Sequence, residues 1–204
     1  TSYYPGANDL LDGMVEVHLT AFADEDCNDN TDEMNIIFFE PATVDVGDDM
    51  VICDSETAVP LNGIALNYSS LQWSSTGSGN FMSPNSLNAT YILSPGDKNL
   101  GEIYLILTAS NDDCGSVNDS LKLTINNAPY IFINPEATIC GNDQFVTEGY
   151  ATNYAALSWS SQGDGSFENS NQIDATYFPG SQDIQNGSVQ LCLTAVAFDG
   201  CEDV

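Results

Sequence analysis

One stretch of this sequence is written twice. Leu71-Gln72-Trp73-Ser74-Ser75-Thr76-Gly77-Ser78-Gly79-Asn80-Phe81 returns as Leu157-Ser158-Trp159-Ser160-Ser161-Gln162-Gly163-Asp164-Gly165-Ser166-Phe167, displaced by 159 − 73 = 86 residues. Ala89-Thr90-Tyr91 returns at the same displacement as Ala175-Thr176-Tyr177, and Val51-Ile52-Cys53 returns 87 residues on as Thr138-Ile139-Cys140. Leu19-Thr20-Ala21 reappears as Leu107-Thr108-Ala109 and Leu193-Thr194-Ala195, while Cys27, Cys114 and Cys201 are spaced 87 and 87. A fixed period held over so many marks means one supersecondary unit used repeatedly. The chain then divides into the closing part of one repeat (1–41), a complete repeat (42–129) and a repeat lacking its last strand (130–204). Short proline-containing links, Glu40-Pro41-Ala42 and Asn127-Ala128-Pro129, mark the boundaries without any flexible Gly/Ser tract.

Within each repeat the apolar residues alternate with polar ones, the period of a half-buried strand. Val15, Val17 and Leu19 interleave with Glu16, His18 and Thr20, and Ile103, Leu105 and Leu107 do likewise, as do Val189, Leu191 and Leu193. Further strands are predicted at 34–39, 57–66, 70–75, 88–93, 120–125, 144–149, 156–161 and 174–178, separated by Gly, Asn, Asp, Ser and Pro clusters. No stretch shows a helical apolar period. Short strands at this spacing predict an all-β fold of tandem antiparallel sandwiches.

These marks resemble the PKD (polycystic kidney disease) domain pattern. Trp73 through Phe81, then Asn88-Ala89-Thr90-Tyr91, the Pro95-Gly96 turn, Ile103 to Ala109 and Leu121 to Ile125 follow its order, and Gly163-Asp164-Gly165 matches its glycine-aspartate-glycine turn. Gly77-Ser78-Gly79 departs from it by lacking the aspartate. Of residues 1–41, only the Tyr3-Tyr4-Pro5-Gly6 turn onward follows the pattern. The cysteine pair and acidic composition are similar to repeats of giant Bacteroidetes surface proteins, of which the gliding-motility adhesins exported by the type IX secretion system are the best-known case. That resemblance implies an immunoglobulin-like sandwich, export and surface display in long arrays. No type IX sorting domain lies within these 204 residues.

Charge excludes several classes of partner. Thirty acidic residues face two lysines, Lys98 and Lys122, and no arginine, for a formal net charge of −28. No basic patch can be assembled, so a nucleic-acid backbone or an anionic membrane surface is repelled. No 18-residue apolar run is present to span a bilayer. Thr1 to Pro5 carry no features of a signal peptide.

Six cysteines in an acidic repeat protein point to an oxidising compartment. Each repeat has one early and one late cysteine, so register predicts Cys53–Cys114 and Cys140–Cys201, each closing 61 residues (114 − 53 and 201 − 140). Cys27 would then pair outside the sequence, and Cys192 is expected as a free thiol. No Cys-x-x-Cys pair or histidine cluster suggests zinc.

Trp73 and Trp159 are read as core residues on central sandwich strands, against the alternative of exposed sugar-stacking platforms. His18 is the single imidazole and has no counterpart at Ile106 or Cys192, so no acid–base or nucleophilic constellation is visible and no catalytic residue is assigned. Calcium takes six to eight oxygens, and acidic turns are its candidate ligands: Asp24, Asp26, Asp32, Asp112 and Asp113 in equivalent loops, and Asp48, Asp49 and Glu136 near the links. The competing reading is that these are solvated surface carboxylates. Sequons at Asn67, Asn88, Asn118 and Asn186 are taken as incidental, while Asp119-Ser120-Leu121 resembles the Bacteroidetes O-glycosylation motif and makes Ser120 a candidate attachment point.

The expected protein is a non-enzymatic extracellular segment of a long cell-surface adhesin, with no cofactor besides calcium. Its partners would be neighbouring repeats, and a surface polysaccharide or another cell surface. The alternatives are a carbohydrate-binding accessory module of a polysaccharide hydrolase, or a subunit of an extracellular filament accepting a strand from its neighbour.

Overall fold

The computed structural model describes residues 1–24, 27–141 and 143–204. The chain opens with helix α1 (Ala7–Asp12) and a hairpin of β1 (Met14–Ala21) and β2 (Asn30–Ile37), in antiparallel register from Met14↔Ile37 to Ala21↔Asn30. The central part follows with β3 (Thr43–Asp45), β4 (Met50–Cys53), β5 (Ala58–Asn62), β6 (Ile64–Leu66), β7 (Ser70–Ser75), β8 (Asn80–Met82) and β9 (Asn88–Ile92). Helix α2 (Pro95–Leu100) leads to the long hairpin of β10 (Glu102–Asn111) and β11 (Gly115–Asn126). The last part comprises β12 (Tyr130–Ile133), β13 (Phe145–Val146), β14 (Gly149–Thr152), β15 (Tyr154–Ser161), β16 (Ser166–Glu168), β17 (Thr176–Phe178), α3 (Ser181–Asn186) and β18 (Leu191–Ala197).

The central part is a two-layer sandwich. One layer has the order β4-β11-β10-β7, the other β5-β9-β8, with β3 and β6 paired beside them. Strict alternation along β10 sends Ile103, Leu105, Leu107 and Ala109 into the core. There they join Leu121, Leu123 and Ile125 of β11, Trp73 of β7, Tyr91 of β9, and Val59 and Leu61 of β5 in one cluster. Each large side chain so buried contributes about 1.5–3 kcal/mol, against at most about 1 kcal/mol for an exposed ion pair such as Lys122–Glu102. Apolar alternation, not charge pairing, holds the sandwich. A second core forms around Leu157, Trp159, Ala175, Leu193 and Ala195 in the last part, where β15 pairs β18 and β17 lies between β13 and β16.

The all-β expectation holds, and both tryptophans are core residues with satisfied indoles. Trp73 Nε1 donates to Ser86 O at 2.9 Å and Trp159 Nε1 to Gln172 O at 3.0 Å. They are therefore not sugar platforms. Other expectations shift. The predicted strand 57–66 is interrupted at Gly63, where a Cβ would run into Leu107 and Trp73. β11 begins at Gly115 rather than 120 and β2 at Asn30 rather than 34. β3, β4 and β12 were not anticipated, because three or four residues carry too little periodicity to read.

The three six-residue helices were also not anticipated, and what they do explains the glycine turn. Each places an aspartate six residues after a tyrosine. Tyr91 OH donates to Asp97 Oδ2 at 3.1 Å, Tyr177 OH to Asp183 Oδ2 at 2.6 Å, and Tyr3 OH to Asp9. Asp97 also accepts from the N–H groups of Ser78 and Ser94, and Asp183 from those of Asp164 and Gly180. These carboxylates approach the backbone so closely that a Cβ on Gly77, Gly79, Gly163 or Gly165 would collide with the tyrosine or the aspartate. The missing turn aspartate at Ser78 has a local compensation. In the central sandwich Ser94 caps α2, accepting from Asp97 N at 3.1 Å, and Ser78 bonds Ser94 at 2.7 Å. In the last sandwich the cap position is Gly180, and Asp164 reaches across to accept from Gln182 N and Asp183 N.

Burial by itself would raise the Asp97 carboxyl, but the N–H groups of Ser94 and Ser78 outweigh it and hold it below its ordinary value. The Tyr177 hydroxyl and then the Gly180 N–H lower Asp183 in the same way. A depressed folded value means that stability is fully present above the unfolded value, about pH 4, and is lost as the pH falls through the lower folded value. Protonation of thirty acidic groups meanwhile relieves self-repulsion, so the whole-protein curve mixes two opposing effects. The difference between the wild type and Asp97→Asn removes the common part. That difference, by denaturant unfolding, should be large near neutrality and shrink below about pH 4. A difference independent of pH would contradict the role given to Asp97.

Candidate functional site

The functional candidates lie where the sandwiches meet. β4 runs parallel to β11, with Cys53 beside Asn126 at the C-terminal ends of both strands. The loop after β18 folds over this end, and Cys53 forms a disulfide with Cys201, with Cα atoms 4.7 Å apart. Gly200 lies so close to β4 that a Cβ there would stand 2.9 Å from the Ile52 backbone, and its φ of +84° is one that side chains disfavour. Asn126 Nδ2 donates to Asp199 O at 2.8 Å across the same contact. The link itself is tied down at both ends. Ala128 N donates to Asp54 Oδ1 at 3.0 Å, and Asn153 Nδ2 donates to Ala128 O at 3.2 Å.

The predicted pairings Cys53–Cys114 and Cys140–Cys201 are thus corrected to Cys53–Cys201. Cys114 and Cys140, like Cys27, are unpaired and exposed, while Cys192 is a half-buried free thiol, as expected. The reason is geometric. Cys114 precedes the first residue of β11 and Cys53 lies beside its last, Asn126. Twelve residues of extended chain separate those ends by about 40 Å. Cys53 and Cys114 therefore sit at opposite poles of the central sandwich and cannot bond. The poles meet only across a junction.

The first junction uses the same devices. Asn67 Nδ2 donates to Pro41 O at 3.4 Å and to Glu40 Oε2 at 2.9 Å. Asn67 and Asn153 both hold positive φ, 53° and 58°, as asparagine tolerates better than most residues. Cys114 Sγ stands 3.5 Å from Phe39 O, and Cys201 Sγ stands 3.5 Å from Asn126 O. Asn67 enters the sequence reading only as an incidental sequon and Asn153 not at all, although their shared displacement of 153 − 67 = 86 was there to find.

The proposed calcium ligands are scattered. Asp112 accepts from Ser69 Oγ, Asp49 from Lys122 N and Asp32 from Glu33 N. Asp24, Asp48, Asp113 and Glu136 are exposed, and Asp26 lies outside the described residues. Among the described residues, the one group of three side chains placed to share an ion is Glu16, His18 and Glu33, on the exposed face of the β1–β2 hairpin. His18 Nε2 is 3.1 Å from Glu16 Oε1. Ser120 is exposed on β11.

Beside the last sandwich a cleft of about 990 Å³ opens, lined by Ile133, Pro135, Phe145, Trp159, Ile184 and Leu191 among others. The central sandwich has β4 and β11 at the equivalent side, whereas residues 134–144 contain no strand among those described.

No family model matches the sequence, and no curated protein matches it. Solved structures do. Immunoglobulin domains 1–5 of Sidekick-1 align over 92% of this chain and 44% of that one, with 14% identity and a TM-score of 0.52. Sidekick-1 immunoglobulin domains 1–4 align over 92% and 55%, with 14% identity and a TM-score of 0.50. Extracellular cadherin domains 1–4 of protocadherin gamma B7 align over 93% and 55%, with 12% identity and a TM-score of 0.47. The chain spans about half the length of these structures. At such identity the likeness concerns the fold, and it defines the class: the chain is built of immunoglobulin-like β-sandwiches.

A bond with sequence separation 148 should stabilise by about 5 kcal/mol in the chain-entropy model. Non-reducing peptide mapping should recover Cys53 joined to Cys201, with Cys114 and Cys140 alkylated. Cys53→Ser should lower stability by up to about 5 kcal/mol. Recovery of Cys53–Cys114 would contradict the geometry above.

Proposed function

We propose that this chain is a non-enzymatic segment of an extracellular, cell-surface adhesin, acting as stalk or contact surface. Residues 1–41, 42–129 and 130–204 are then parts of consecutive repeats with a period of about 87 residues, joined by hydrogen bonds at both links and by a disulfide at the second. The observation that carries this reading is the Cys53–Cys201 bond between neighbouring sandwiches. A disulfide is retained in an oxidising compartment, and one placed across a junction resists separation and rotation of the two bodies.

Other observations support the repeat reading. Leu19 of β1 is 77% exposed, whereas Leu107, its counterpart in β10, is wholly buried. The β1–β2 hairpin therefore carries the inner face of a sandwich that further strands would cover. The buried titratable pairs Tyr91–Asp97 and Tyr177–Asp183 are fully engaged in capping, and His18 lies on an open surface. Tyr177 and Asp183 also line the cleft beside the last sandwich, where both are held by the cap hydrogen bonds. No described helix is long and apolar enough to cross a membrane.

The resemblance to Bacteroidetes gliding adhesins supports export by type IX secretion and display in arrays. Contact with a surface polysaccharide or another cell would fall to exposed aromatic positions such as Tyr130, Phe132 and Tyr150, which share one face of the β12–β14 pair. Aromatic rings are amphipathic enough to serve such surfaces. Ser120 is accessible for glycosylation. Calcium drawn to the acidic turns near the links, at Asp48 and Asp49 on one sandwich and Glu136 on the next, would stiffen them further and screen the charge of −28.

Small-angle scattering tests the stalk directly. The chain should scatter as a rod whose cross-section is that of one sandwich, and millimolar-range calcium should lengthen or stiffen it. A compact, near-spherical particle would overturn the stalk, whereas a rod indifferent to calcium would remove only the metal.

A further inference from the structure

We propose that Cys114 and Cys140 are halves of two more inter-sandwich disulfides, so that an early cysteine of each repeat bonds a late cysteine of the next throughout the array. This rests on the repeat reading above and adds to it a specific chemistry at every junction.

The position of Cys114 carries the inference. Cys201 meets its partner with its sulfur 3.5 Å from Asn126 O, and Asn126 is the residue that lies beside Cys53 in the β4–β11 ladder. Cys114 already stands in that place at the preceding junction, 3.5 Å from Phe39 O. Both displacements are 87 (201 − 114 and 126 − 39). The surroundings are reproduced as well. β1 and β2 pair as β10 and β11 do, with Leu19 opposite Asp32 and Leu107 opposite Asp119. The link carbonyls of Pro41 and Ala128 accept from Asn67 and Asn153 in the same way. What is needed beside Phe39 is the strand that pairs in parallel with β2, as β4 pairs with β11. Its last residue, in register with Cys53, is a cysteine of the preceding repeat.

Cys140 is the other half of the pattern. It lies 140 − 53 = 87 residues after Cys53 and is exposed, and in the repeat register it holds the position that the late cysteine of a following repeat would meet. Cys192 has no counterpart in the other repeats and takes no part.

Each bond forms when the two thiols lose two protons and two electrons between them. The electrons reduce one disulfide of a dithiol–disulfide oxidant, or of glutathione disulfide, to two thiols. The route is attack of a cysteine thiolate on that disulfide, followed by attack of the second cysteine on the mixed disulfide.

The test adds a second copy of residues 42–88 ahead of Thr1, which supplies the strands and the early cysteine that residues 1–41 lack in the repeat register. After oxidation with glutathione disulfide, non-reducing peptide mapping should find the added copy of Cys53 bonded to Cys114. Amide hydrogen exchange over β1 and β2 reports whether the added strands complete the sandwich. Protection of β1 and β2 with the added cysteine bonded to Cys27 would leave the repeat reading standing and overturn the staple. Unprotected β1 and β2 with Cys114 alkylated would overturn both. An independent measurement needs no extension: in the Cys53→Ser chain, Cys201 should remain a thiol. Its quantitative transfer to Cys140 within one molecule would contradict bonding across junctions only.

Discussion

The parallel ladder between β4 and β11 fixes where everything else at the junction can be. An antiparallel edge strand would have carried its terminal cysteine toward the hairpin that precedes β11 and away from the junction. Running parallel instead, β4 delivers Cys53 to the pole from which the next sandwich departs. The link leaves from Asn126 at the same point, so the following sandwich must lie against Cys53 whatever else it does. Gly200 lets the descending loop approach Ile52 closely, and Cys201 arrives bond-ready. Direction of one four-residue strand thus places the staple at the junction between sandwiches.

The same economy of short elements governs the turns. A tyrosine hydroxyl and an aspartate carboxylate gather the backbone donors of the Gly-x-Gly turn and of the helix start. Because they pack on the peptide planes, the glycines are required by space. Ser94 and Asp164 occupy different positions yet cap the equivalent helix, so a serine at Ser78 in place of the aspartate found at Asp164 leaves the corner intact. Buried donors and acceptors are expensive to leave unpaired, and here none of the buried side-chain polar atoms among the described residues lacks a partner.

Much of the fold was legible because alternation over long strands leaves a clear mark. β1, β7, β9 and β10 are visible in Val15 to Leu19, Leu71 to Ser75, Ala89 to Ile92 and Ile103 to Leu107, and the two tryptophans announce the cores. β4 was not legible: Met50 to Cys53 are too few residues to show a period, and sequence carries no sign of strand direction. The pairing of Cys53 with Cys114 followed from treating each repeat as closed on itself, an assumption that periodicity alone can neither support nor refute. Asp97 and Asp183 were passed over because single aspartates among thirty acidic residues look like surface charge. Only the recurrence of a tyrosine six residues before each, at Tyr3, Tyr91 and Tyr177, could have distinguished them.

The central claim is that adjacent sandwiches move as one body because a covalent bond and a hydrogen-bonded link join them. Residual dipolar couplings in a weakly aligned sample read this directly, since each rigid body reports its own alignment tensor. Couplings from residues 42–126 and from residues 130–197 should fit a single tensor in the oxidised chain, and should separate into two on reduction of Cys53–Cys201. Two different tensors in the oxidised chain would show sandwiches that tumble independently, and the junction would then be a tether rather than a joint.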